Sequence, residues 1–309
     1  MHRHAQNDVI DINSNQNIAI SDDHISMRHF DEISLRHDMD DKIFWCFMEQ
    51  KLRPCYTYKL GGEIQQVQDW VRANYSLPMD ARKDDLRYFI CGSKTPNIYN
   101  LGGDLMHFVE KIQGRDIAAL RNYAETCVRM QYANHKGYDA PIISMALVQG
   151  DALGGGFEHA LSFDLIVAEK RARFGLPEIL FNLFPGMGAY NFLIQRVGRR
   201  TAEQMILNGK LYSAQEMYDL GVVDILVEDG EGEQAIVEYV RKNEARFWTE
   251  RAVYQARTIA NPVKLEDLLS ITYLWAETAM KISDVDMKKM QRLASAQDRR
   301  IARSLAAVD

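Results

Sequence analysis

The chain has 309 residues, a formal net charge of −6, 47% hydrophobic residues and 26% charged residues. This composition is typical of a globular protein with a sizeable core; the acidic balance argues against a nucleic-acid partner, and no stretch reaches the roughly 20 apolar residues that span a membrane. Its first residues lack the apolar run of a secretory signal and its four cysteines lack metal or redox spacing, so we expect a cytoplasmic protein with no metal and no cofactor.

The first quarter of the chain predicts a polar arm followed by strands and one helix. Residues 1–20 are rich in Asn and Asp and are predicted to form a mobile N-terminal arm. Alternating apolar residues predict half-buried strands at 25–30 and 33–36, and the apolar run 43–48 predicts a buried strand. Gly61 and Gly62 are expected to open an amphipathic helix that ends near Asn74.

The next segment predicts a strand, a loop and two helices. Residues 86–91 have the composition of a strand, and the Gly, Ser and Pro of residues 92–100 indicate a loop. Residues 101–105 lead into a helix, and a helical apolar stripe follows over 117–128 with Asp116 as its cap.

From residue 142 onward, strands and helices alternate, which predicts an α/β fold. The expected elements are strands at 142–148, 164–168 and 222–227, helices at 155–161, 186–197, 201–207, 214–220 and 231–249, and a corner at 174–178. Residues 21–250 are therefore expected to form the catalytic core, and residues 251–309, almost entirely helix-compatible, a C-terminal helical region for assembly.

Two glutamates each follow residues that determine the local backbone conformation, glycine in one case and proline in the other. Glu158 follows a triple glycine and Glu178 follows Pro177, 20 residues further along the chain. Both acids stand among apolar residues, where a carboxylate is costly unless it is paired or used. The pattern favours general acid and base chemistry on one substrate.

Glycines after two predicted strand ends indicate backbone donors for an anionic oxygen. Gly103 belongs to the first glycine loop and Gly155 to the second. Two N–H groups from separate loops can stabilise a developing negative charge, as in an oxyanion hole. A phosphate cradle is the rival interpretation, but neither loop matches GxxxxGK[ST] or GxGxxG.

These motifs together make the chain resemble the crotonase (enoyl-CoA hydratase/isomerase) superfamily from about Ile43 onward. The motifs are Gly102-Gly103-Asp104-Leu105, Gly150 to Glu158, Asp164, Phe174 to Glu178 and Pro185-Gly186. The resemblance implies a spiral of ββα units with a C-terminal helical region and assembly as a trimer or hexamer. By motif position, it implies Gly103 and Gly155 as oxyanion donors and Glu158 and Glu178 as catalytic acids.

Within that superfamily the chain looks most similar to the diffusible-signal-factor synthases. The similarity rests on residues 181–193 and on a long N-terminal extension. It implies dehydration of a 3-hydroxyacyl thioester of acyl carrier protein or CoA, followed by hydrolysis to a free cis-2-unsaturated fatty acid. Glu178 is then expected to take the C2 proton and Glu158 to serve the oxygen at C3. A sensor or receptor protein is a further implied partner.

Two other functions stay open at this point. An enoyl-CoA hydratase of fatty-acid metabolism would use the same glutamates but would add water without releasing a free acid. A crotonase-fold binding or regulatory protein would act through its surface. Expected residues around an acyl tail are Leu153, Phe184, Met187 and Trp275, and the basic face with Arg299 and Arg300 is either a carrier-protein contact or a solvated helix side.

Overall fold

The computed structural model describes residues 24–50, 53–82 and 84–305, with side chains up to residue 299, so the predicted arm at 1–20 lies outside the described residues. The strands are β1 (Ile33–Asp38), β2 (Ile43–Met48), β3 (Tyr88–Ser93), β4 (Ile98–Asn100), β5 (Ile143–Val148), β6 (Asp151–Leu153), β7 (Leu165–Glu169), β8 (Arg173–Gly175), β9 (Leu211–Ser213) and β10 (Ile225–Val227). The helices are α1 (Tyr58–Tyr75), α2 (Leu105–Gln113), α3 (Ile117–His135), α4 (Gly155–Leu161), α5 (Ala189–Asn208), α6 (Ala214–Asp219), α7 (Gly232–Asn243), α8 (Phe247–Ala260), α9 (Leu265–Ala279) and α10 (Asp284–Leu305).

The strands form two sheets. The larger has six strands in the order β1-β2-β3-β5-β7-β10, and the smaller has four in the order β4-β6-β8-β9. Within the larger sheet only β1 runs antiparallel to its neighbour. Every residue of β2, β3, β5 and β7 is buried, as expected of parallel strands whose two faces are both covered.

Successive strands alternate between the two sheets, and this alternation builds a ββα spiral. Strand β3 of the large sheet is followed by β4 of the small sheet and then by α2. The same sequence recurs as β5, β6 and α4. Each turn of the spiral therefore ends on a short strand of the small sheet, and β4, β6 and β8 run parallel to one another.

Several predicted elements differ from the structure at their ends. Residues 25–27 form a 3₁₀ turn instead of a strand, because the side chain of His24 caps it by accepting the N–H of Ser26. Helix α1 begins before the two glycines, because Thr57 accepts the N–H of Leu60 as the N-cap. The two helices predicted at 186–197 and 201–207 correspond to the two parts of α5, which are separated by a non-helical backbone at Gly198, with a φ of +75° and a ψ of +163°.

The C-terminal region is helical, as predicted, and it folds back onto its own chain. Helix α9 packs on α3, and α10 packs on α2. The predicted division between residues 250 and 251 stays a prediction, and α8 runs across it. Among the described residues, every helix is too short or too polar to cross a membrane.

Candidate active site

Three neighbouring parallel strands bring the predicted site residues to one edge of the small sheet. Strand β4 leads into Gly103, β6 leads into Gly155, and β8 leads towards Glu178. Parallel strands end at the same edge, so residues that follow them are close in space even when they are distant in sequence. A hydrogen bond from the Gly154 N–H to the Gly175 carbonyl, 2.9 Å long, extends the β6–β8 pairing to this edge.

The two glycine loops are in direct contact. Gly102 has a φ of +96°, and a Cβ at this position would lie 2.9 Å from both the nitrogen of Gly155 and the carbonyl oxygen of Leu153. Only glycine allows this approach. The N–H groups of Gly103 and Gly155 have no acceptor among residues 24–50, 53–82 and 84–305. Both are therefore available as donors for one substrate oxygen.

Glu158 is a buried carboxylate with a fixed orientation. It lies on α4 and is 1% exposed. Its Oε1 accepts the N–H of Met187 at 2.7 Å and the N–H of Ala189, the first residue of α5, at 3.0 Å. Burial raises the pKa of Glu158, and the two N–H donors partly offset that increase by favouring the ionised form.

Glu178 lies opposite, in the 3₁₀ turn Pro177–Phe181, and is half-buried. A Cβ on Gly154 would come within 2.6 Å of its Oε1. Its Oε2 is buried and has no hydrogen-bond partner within the part of the chain that the structure describes. Burial, and then the neighbouring Glu158, raise the pKa of Glu178. Since only Glu158 accepts two N–H groups, the geometry favours an ionised Glu158 beside a protonated Glu178.

A cavity of about 260 Å³ opens at these two acids. Of the residues predicted to hold an acyl tail, Leu153, Met187 and Trp275 line this cavity. Phe184 is not in the lining; it is half-buried and packs against the apolar core instead. Most of the wall is apolar, and it is formed by Leu101, Leu105, Phe108, Leu153, Leu180, Phe181, Leu183, Pro185, Met187, Leu211, Trp275 and Leu293.

Helix α10 supplies part of this wall, a role that the sequence motifs do not predict. Leu293, Ala296 and Gln297 line the cavity, and the side-chain amide of Gln297 donates to the carbonyl of Leu101 at 3.0 Å. Leu293 follows Met290 by one helical turn, so the apolar stripe of this helix contained a usable signal. The predicted assembly region therefore also contributes to the candidate site of its own chain.

Other polar residues near the motifs have structural roles. Asp104 caps α2 by accepting the N–H groups of Met106 and His107. Asp164 accepts the N–H and the hydroxyl of Ser144, each at 3.0 Å. His159 is fully buried, with Nδ1 3.0 Å from the hydroxyl of Tyr99.

The arrangement combines two candidate proton-transfer groups with two backbone N–H donors in the lining of one largely apolar cavity. Two N–H donors favour the ionised form of Glu158, whereas burial and the neighbouring Glu158 raise the pKa of Glu178. Such a site can add a proton at one carbon and remove one from an oxygen two bonds away. It suits a substrate whose carbonyl oxygen becomes negative during the reaction.

Comparisons with known proteins identify the family and the fold of this chain. Residues 79–292 match the sequence pattern of the family described as enoyl-CoA hydratase/isomerase. The 2,3-dehydroadipyl-CoA hydratase of Escherichia coli (strain K12) is 36% identical over 146 residues, which cover 47% of this chain and 54% of that enzyme. The chain spans between about a third and about half of the length of the curated relatives that it matches.

Solved structures share the fold at low sequence identity. An enoyl-CoA hydratase from Bacillus halodurans superimposes with a TM-score of 0.70 at 18% identity, over 85% of this chain and 100% of that one. DspI of Pseudomonas aeruginosa superimposes with a TM-score of 0.66 at 22% identity, over 80% of this chain and 88% of that one. The predicted α/β fold of crotonase type, with its C-terminal helices, is thereby confirmed.

Proposed function

Because the chain belongs to the enoyl-CoA hydratase/isomerase family, we propose that it catalyses the reversible addition of water to the C2–C3 double bond of a 2-enoyl-CoA thioester. The observation that carries this proposal is the pair of acids, Glu158 and Glu178, in the lining of an apolar cavity that also includes Gly103 and Gly155. Hydration needs a base for water, an acid for carbon and donors for the thioester oxygen, and these four residues supply all three.

The thioester carbonyl is proposed to accept the N–H groups of Gly103 and Gly155. Attack of water at C3 moves the C2–C3 π electrons towards C1 and places negative charge on the carbonyl oxygen. Donors that are already aligned stabilise this enolate without reorganising, which is typically worth about 3 to 4 kcal/mol for each donor. Contact between the two glycine loops keeps the donors together.

The two glutamates are proposed to divide the proton transfers. In the hydration direction, the Glu158 carboxylate takes a proton from water while the hydroxyl oxygen bonds to C3, and protonated Glu178 gives its proton to C2. Dehydration reverses both steps. The N–H donors of Met187 and Ala189 support the first role, and the raised pKa of Glu178 supports the second.

The acyl tail is proposed to lie along the apolar wall, against Leu153, Met187 and Trp275. Burying apolar tail surface there contributes roughly 25 cal/mol per Å². Because α10 closes one side of the cavity through Leu293, the length of the accepted tail depends on that helix.

A second candidate is synthesis of a diffusible signal factor, in which a 3-hydroxyacyl thioester of acyl carrier protein is dehydrated and then hydrolysed to a free cis-2-enoic acid. It is favoured by the role of residues 181–193, the stretch on which the resemblance rests. This stretch provides Phe181, Leu183 and Met187 to the cavity wall and two N–H donors to Glu158. Trimeric or hexameric assembly and a sensor partner belong to this candidate as proposals.

Mass spectrometry of the products separates the two candidates. Purified protein is incubated with 2-enoyl-CoA, with 3-hydroxyacyl-CoA and with the 3-hydroxyacyl carrier protein. We expect 3-hydroxyacyl-CoA and enoyl-CoA to interconvert with no free acid; release of cis-2-enoic acid would establish the synthase instead. A double variant, Glu158→Gln with Glu178→Gln, controls for contaminating enzymes. If no thioester is converted, both proposals and the catalytic assignment are wrong.

A further inference from the structure

Three potential metal ligands meet at the edge of the six-stranded sheet, away from the candidate active site. His24 precedes the first 3₁₀ turn, His37 lies on the edge strand β1, and Asp84 lies just before β3. One ligand atom from each residue lies within 4.8 Å of the other two. Among residues 24–50, 53–82 and 84–305, no other group of three or more His, Cys, Asp or Glu side chains brings its ligand atoms this close together.

The contact between the two histidines does not account for the aspartate. Nε2 of His24 lies 2.9 Å from Nδ1 of His37, a distance that one N–H···N hydrogen bond explains. Oδ1 of Asp84, however, is buried and has no hydrogen-bond partner among the described residues. A buried carboxylate oxygen without a donor is costly. A cation bound by both imidazoles and this oxygen would remove that cost.

The hydroxyl of Ser26 offers an acceptor for the ring N–H that His24 would carry with a metal on its Nε2. Without metal, Nδ1 of His24 accepts the N–H of Ser26 at 3.2 Å. With zinc at Nε2, the ring proton would lie on Nδ1, which is 2.7 Å from Oγ of Ser26 and would donate to that hydroxyl. Metal-bound histidines almost always donate their other ring N–H in this way. The ring also packs edge-on against Trp70, with centroids 4.7 Å apart, which limits its rotation.

We propose that His24, His37 and Asp84 form a binding site for a divalent zinc ion. Two imidazole nitrogens and one carboxylate oxygen are typical zinc ligands, and a tetrahedral site has room for water as the fourth ligand. Nε2 of His24 and Nδ1 of His37 lie 2.9 Å apart. Two ligand atoms on tetrahedral zinc with bonds of about 2.0 Å lie roughly 3.3 Å apart, so the two nitrogens are slightly too close. A small rotation of either ring corrects this difference.

The ion would have a structural role. It would link the segment at His24 to the edge strand β1 and to the segment before β3. None of the three ligands lines the cavity at Glu158 and Glu178. Zinc is therefore expected to stabilise the fold without taking part in the reaction, so this proposal and the proposed function fail independently.

The test uses the full, tag-free chain after treatment with a chelator, with zinc alone as the probe. Titration calorimetry and metal analysis are expected to give one zinc ion per chain, and zinc is expected to raise the melting temperature. His37→Gln is expected to weaken binding by at least about 100-fold, and Asp84→Asn by at least about tenfold. Ser26→Ala, which removes only the acceptor of the His24 N–H, is expected to weaken it by about tenfold.

Matched controls distinguish this site from adventitious binding by other histidines. His29→Ala changes a side chain that is 86% exposed and is expected to leave zinc affinity unchanged. A variant with both His2 and His4 changed to Ala is expected to bind zinc normally. Circular dichroism of each variant without metal establishes that it folds. The proposal is overturned if the wild-type chain binds no zinc, or if His37→Gln and Asp84→Asn bind it as tightly as His29→Ala does.

Discussion

Substitution of Gly154 by alanine tests whether the position of Glu178 determines the rate. Gly154 has a φ of +52° and a ψ of −127°, a conformation that costs an L residue about 1 to 3 kcal/mol. The new Cβ would lie 2.6 Å from Oε1 of Glu178, so the carboxylate must move by about 0.8 Å to reach ordinary contact near 3.4 Å. A misplacement approaching 1 Å costs on the order of 10²-fold in rate. We expect turnover of enoyl-CoA to fall by about that factor while KM changes little.

Gly198→Ala is the matched control for this experiment. Gly198 also has a backbone conformation that favours glycine, with a φ of +75° and a ψ of +163°, but no atom lies within 4 Å of the position of its added Cβ. Both variants are expected to lose a similar amount of unfolding free energy, measured in urea, and only Gly154→Ala is expected to lose turnover. If a folded Gly154→Ala enzyme works within about threefold of the wild-type rate, or if Gly198→Ala loses as much, the reasoning fails.

Two further predictions concern stability and the cavity. Burial and the neighbouring Glu158 raise the pKa of Glu178 in the folded protein, so its contribution to stability is complete below about pH 4 and is lost as the pH rises through the raised value. Glu178→Gln should therefore leave the melting temperature nearly unchanged at about pH 4 and raise it at about pH 8; a lower melting temperature at the higher pH would contradict this sign. Ala296→Trp should narrow the cavity and lower kcat/KM for long acyl chains about tenfold, or about 1.4 kcal/mol. The control is Ser295→Trp, on the same helix but exposed and outside the cavity lining, which should leave kcat/KM unchanged. Equal losses in the two variants would show that α10 is not part of the site.

Much of the site could be predicted from the sequence because its parts are short motifs with a backbone reason. The triple glycine before Glu158 and Pro177 before Glu178 indicate the local conformation that the structure contains. The strands β4, β6 and β8 have only three residues each, too few for a period-two pattern, so the sequence does not predict them. These strands are nevertheless what brings the motifs together.

Long-range contacts account for the remaining differences. The N–H donors of Met187 and Ala189 reach Glu158 across 29 and 31 residues, and no local pattern predicts such a pairing. Phe184 and Phe181 have equivalent apolar character in the sequence, and only packing decides that Phe181 lines the cavity. The return of α10 onto α2 likewise depends on the tertiary fold, so the sequence predicts a helix there but not its role as a wall.

The most direct test of the paired acids measures water addition to 2-enoyl-CoA in D₂O by the wild-type protein and by Glu158→Gln and Glu178→Gln. Glu169→Gln is the control, because Glu169 is only 2% exposed and lies outside the cavity lining. We expect the wild type and the control to place one deuterium at C2 of the 3-hydroxyacyl product, and each site variant to be slower by roughly 10²-fold or more. Normal hydration with normal deuterium incorporation by both folded site variants would contradict the assignment of Glu158 and Glu178 as the catalytic pair.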